Sequence, residues 1–105
     1  VAADQQFAIQ LGRAWAQHRE NNHAAAIAEF KTILGQSSEN IDALYGLGLA
    51  LRAHGQRADA ISTFQSAFAL VMLALQENPG EDRYEMLQRM IAQRLNELDA
   101  GVMPQ

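Results

Sequence analysis

IDALYGLGLALRAHGQRADAISTFQSA, residues 41–67, is the stretch that decides the fold. Leu44, Leu47, Gly48 and Leu51 recur at spacings of three and four, which lays them on one helix face. Gly55 stands where a residue in the left-handed conformation would end that helix. A second helix opening near Arg57 turns Ile61, Phe64, Ala67, Phe68 and Val71 inward. Two helices joined by so short a turn fold back on each other as a hairpin. Gly48 and Ala60 have almost no side chain, so the two helices can cross closely while larger neighbours interdigitate.

The same punctuation extends outward in both directions. Asp4 is expected to cap a first helix carrying Phe7, Leu11, Ala14 and Trp15, which ends near Glu20. Asn21 and Asn22 supply a turn and a fresh cap for a second helix from about His23 to Leu34, closed by Gly35. Ser37, Ser38 and Asn40 offer caps for the third helix, with Asp42 in its first turn. After Arg57 no breaker appears until Pro79 and Gly80, so the fourth helix reaches Gln76 or Glu77. A fifth helix from about Glu81 to Asp99 carries Tyr84, Leu87, Ile91, Leu95 and Leu98, with Gly101 closing it and Val102 to Gln105 fraying. Sustained period-two alternation is missing, so the expectation is an all-α domain of five helices.

Composition narrows the function classes. The chain has 105 residues, about half of them apolar, enough for one core. Cysteine is absent, which removes thiolate chemistry and leaves the redox compartment open, with the cytoplasm as the working expectation. A net charge of −4, with Lys31 the one lysine and the arginines scattered, argues against a nucleic-acid surface. The longest apolar run, Ala67 to Leu75, is too short to span a bilayer, so no membrane insertion is expected.

Placing Phe7 over Ile41 superposes two helix pairs at a period of 34 residues. In the second unit Leu44, Leu47, Gly48, Leu51, Ala60, Phe64 and Ala67 occupy the alternating large and small positions. In the first, Ala14, Ala26 and Phe30 match, while Gln10, Arg13, Gln17 and Ile33 depart. With Gly55 at the turn, this order resembles the tetratricopeptide repeat (TPR) family over residues 7 to about 72. The resemblance implies antiparallel hairpins stacked as a right-handed superhelix, with repeats at 7–40 and 41–76. Residues 81–100 are expected to form a capping helix, because Gln88 falls where a small residue is needed. The usual stop near Met72 is delayed to Pro79, lengthening the fourth helix by about 10 Å.

A module of this family holds a protein or peptide in a concave groove lined by the first helix of each pair. That resemblance puts Ala8, Leu11, Trp15 and His18, then Asp42, Tyr45, Leu49 and Arg52, in the groove. Trp15 and Tyr45 are of the type that anchors partners; Tyr45 is expected to be exposed, whereas Trp15 suits the core equally well. Leu11 and Trp15 stand where the carboxylate-clamping members carry Lys and Asn, so an apolar or mixed ligand is expected, with Asp42 and Arg52 selecting its charge pattern. The alternative is structural homodimerisation through the apolar fourth helix, with Phe68, Val71, Met72 and Leu75 as the patch. His18 and His23 straddle a turn and His54 sits at another helix end, so neither metal nor other cofactor is expected. Ser37 and Ser38 are explained by capping, Ser62 and Ser66 lack a base, and no catalytic residue is assigned.

Overall fold

The computed structural model describes residues 3–98, with side chains from residue 7 onward. Five helices follow one another: α1 (Ala3–Arg19), α2 (His23–Gln36), α3 (Ile41–Ala53), α4 (Arg57–Glu77) and α5 (Asp82–Glu97). Each packs on its neighbour in sequence, and α1 also touches α3. Packing of α3 on α2, with the smaller α1–α3 contact, sets two hairpins side by side, as in a helical-repeat fold, in a slab of 36 × 35 × 20 Å.

Local punctuation mostly follows the expected chemistry. Asn40 caps α3 by accepting from the Ala43 amide at 3.0 Å. Gly55 and Gly80 take φ values of +84°, which only glycine adopts freely. Three expectations need correction. Gly35 lies inside α2, which runs on to Gln36 without left-handed backbone. The residue that does turn left-handed between α1 and α2 is Asn21, at φ 66°; asparagine tolerates that region better than most. The Asn22 side chain makes no cap bond and reaches back to Gln17 at 3.2 Å. Helix α1 already includes Asp4, so Asp4 is not its cap. Gly101 and the tail 102–105 lie outside the described residues.

The core centres on α3, where eight of thirteen residues are buried, so it is wrapped rather than one-sided. Phe30 from α2 and Phe64 from α4, both fully buried, press on it from two sides. The Phe30 ring lies where a Cβ on Gly46 would be, and the Phe64 ring where one on Gly48 would be. Gly48 was legible from the repeat; Gly46 does the same for the preceding hairpin. Ala14, Ala26, Ala60 and Ala67, all fully buried, keep the remaining crossings tight.

Helix α4 buries Ala60, Phe64, Ala67 and Val71 and leaves most of its circumference outward. By length and composition alone it could span a bilayer, with mean hydropathy 1.5 over an 18-residue window of which 22% is buried. The nine-residue run considered in the sequence understates this, because small and uncharged residues such as Ser62, Gln65 and Ser66 extend it without a charge.

The two α3 glycines predict opposite behaviour from a helical glycine in open space. Gly48→Ala should lower unfolding free energy by about 1–3 kcal/mol, since the buried Phe64 ring has nowhere to move. Gly12→Ala meets nothing within 4 Å and should stabilise by about 0.5–1 kcal/mol. Urea denaturation of the two variants checks both signs.

Candidate functional site

Helices α1, α3 and α5 offer one side each to a shared surface. On α5, Arg83 donates to Asp42 of α3 at 3.1 Å, and Glu97 accepts from Arg52 of α3 at 2.7 Å. Both ends of the α5 face that looks along α3 are thereby identified. Met86 and Met90 lie between them at helical spacing, so they share that face. Met86 is 51% exposed and Met90 half-buried.

The surface therefore has three walls where the sequence reading counted two. From α1 come Ala8, which is exposed, and Leu11, Trp15 and His18, which are half-buried. From α3 come Asp42, Leu49 and Arg52, half-buried, and Tyr45, which is buried. The exposure expected for Tyr45 is not found, because its ring lies 6.4 Å from Trp15 and 5.9 Å from Phe64. Trp15 meets Phe30 edge-on at 5.4 Å, so it serves the core and the surface together. Tyr45 is buried beside Trp15, while Trp15 and Leu49 keep partly open faces.

Asp42 and Arg52 were expected to read a partner's charge. Each instead makes an ion pair with α5, and Arg94 joins Glu97 at 2.9 Å. These pairs are solvent-exposed and contribute little to stability, about 0–1 kcal/mol each. They tie the edge of α5 to α3, while α5 packs chiefly on α4. Arg83 also sits over the Tyr84 ring at 5.6 Å. A cavity of about 550 Å³ opens beside this pair, lined by Phe7, Ala8, Leu11, Glu39, Ile41, Asp42, Arg83 and Tyr84. Its walls are apolar at Phe7, Leu11, Ile41 and Tyr84 and polar at the rim.

At the opposite end, the α1–α2 turn brings His18 and His23 together, with ring centroids 5.3 Å apart. The five-residue spacing gave no hint of this, since the left-handed Asn21 reverses the chain between them. Burial lowers the His18 pKa from its ordinary value, and His23 and then Arg52 push it further the same way. Among the described residues, no group of three or more His, Asp or Glu side chains could hold a metal ion.

The patch expected on α4 is only partly on the surface. Val71 is fully buried and leaves the patch, Phe68 and Leu75 are half-buried, and Met72 is 37% exposed. Leu73, which was not singled out, is 57% exposed.

A family model described as Tetratricopeptide repeat matches residues 14–91. No curated protein and no solved structure matches the chain. The match carries on past the second hairpin into α5.

Tyr45→Ala should cost about 3 kcal/mol of stability, as expected when a buried aromatic ring is lost. Asp42→Asn, which removes an exposed pair, should cost less than about 1 kcal/mol. Thermal unfolding of both variants separates core from rim.

Proposed function

The chain belongs to the tetratricopeptide repeat family, whose members are generally non-catalytic protein-interaction modules, and from that premise we propose that it holds a protein or peptide segment in the hollow between α1, α3 and α5. The cavity of about 550 Å³ that α1, α3 and α5 line together, with Phe7, Leu11, Ile41 and Tyr84 as its apolar residues, is the observation that carries this reading; Met86, exposed one turn along α5 from Arg83, extends the apolar surface. Methionine adapts its shape at low cost, and aromatic side chains offer large area at little entropic loss. The segment that fits presents apolar side chains to the middle of the hollow. Its polar groups meet the two ion pairs at the ends, Asp42–Arg83 and Arg52–Glu97. Within this reading the chain divides into a repeat at 7–40, a second at 41–76 with its long α4, and a capping helix at 81–100 that doubles as a groove wall.

A double truncation of Trp15 and Tyr45 is a poor test, because Tyr45 supports the core. Met86→Glu is cleaner, since it alters an exposed position and leaves the packing intact. Peptides selected from a random library on the folded domain should bind the Met86→Glu variant at least about tenfold more weakly, a loss of about 1.4 kcal/mol. Far-UV circular dichroism should stay unchanged. Equal affinity for the two proteins would remove the groove reading.

A second reading, self-association through α4, is favoured by the exposure of Met72 and Leu73 on a helix with no charge between Asp59 and Glu77. It predicts twice the monomer mass in light scattering across a concentration series, and a return to monomer in Leu73→Glu. A strictly monomeric wild type at high concentration disposes of it.

A further inference from the structure

His18 and His23 meet at the α1–α2 turn, with ring centroids 5.3 Å apart and Arg52 of α3 nearby. The Nδ1 atoms of both rings are shielded from solvent and have no hydrogen-bond partner among the described residues. Trp15 closes over His18 edge-on, with centroids 6.1 Å apart. From α3, Arg52 adds a fixed positive charge close enough to oppose a proton on His18. The acid that could compensate, Glu97 of α5, is already shared between Arg52 at 2.7 Å and Arg94 at 2.9 Å. Around the turn, Arg19 and Glu20 are exposed neighbours of opposite sign, and His54, past the end of α3, lines a hollow with His23. The last turn of α1 favours a cation through its dipole, yet burial and two neighbours act the other way.

We propose that His18 and His23 form an acid-sensitive latch: with His18 neutral the α1–α2 turn stays closed against α3, and its protonation loosens that end of the hollow and releases the bound segment. The release rests on the groove reading, whereas the loosening stands without it. The sign follows from linkage. A folded-state pKa held below the ordinary value of 6.5 means that the unfolded chain takes up this proton first. The stabilisation is complete above the ordinary value and is lost as pH falls through the folded one. His18 is itself a groove position beside Trp15, so the same event reaches the binding surface.

The test compares melting temperatures of the whole chain at about pH 7.5 and about pH 5.5, above the range where most carboxylates titrate. The wild type should melt at least about 4 °C lower at the acid end, a shift that counts as appreciable for a domain of this size. His18→Gln should remove most of that difference. In wild-type NMR titrations the His18 ring should take its proton at lower pH than free histidine, and His23→Gln should move it back upward. An unchanged acid slope in His18→Gln, or a wild-type His18 ring that titrates at or above the ordinary value, would overturn the latch. Library-selected peptides should leave at the acid end; retention there despite the melting shift would overturn the release. Peptides that bind at neither pH would count against the groove and not against the latch.

Discussion

Two phenylalanine rings pressed against two glycines of one helix hold this molecule together. Phe30 and Phe64 occupy the space that side chains at Gly46 and Gly48 would fill, so α2 and α4 each approach α3 backbone closely. Close approach on both sides is what permits α3 to be buried nearly all round. It also leaves α3 little choice of orientation. The edge of α3 that remains, carrying Asp42, Leu49 and Arg52 over Tyr45, must look into the hollow between α1 and α5. The exposed edge of α3 is thus a by-product of how α2 and α4 are held.

That arrangement explains why the aromatic residues divide their labour as they do. A ring on the inner edge of α3 is close to Phe64 on one side and Trp15 on the other, so Tyr45 is absorbed into the core. Trp15 stands one helix further out and keeps a partly open face. Met86, 51% exposed, is the open apolar side chain on α5. The charged groups at the ends are occupied in tying the edge of α5 to α3 and do not stand free. The histidine pair at the other end belongs to the same economy of space: a tight turn at Asn21 folds α2 back so sharply that two rings are driven together with no acid between them.

Much of the fold was legible in the chain. Helix number, the 34-residue period, the small residues at Gly48 and Ala60 and the delayed stop at Pro79 all depend on local spacing, which a linear reading sees directly. The cap at Asn40 and the left-handed Gly55 depend on single residues and came through as well. Gly35 did not, because a glycine without a demand for positive φ can simply continue a helix. From α1 and α3 the repeat register supplies the facing positions from which the proposed groove is built. The α5 side of that groove was not legible, because Gln88 breaks the small-residue pattern there.

The sequence by itself determined the number and order of the helices, the 34-residue period and the family resemblance, because those follow from spacing along the chain. Tertiary structure alone decided that Tyr45 is core and not anchor, that Asp42 and Arg52 pair with α5, that Val71 is sealed away, and that His18 meets His23. Each of these depends on the distance between residues tens of positions apart or across a left-handed turn. Such distances are set by how closely backbones can approach, a property of the packed crossings that no single helix encodes.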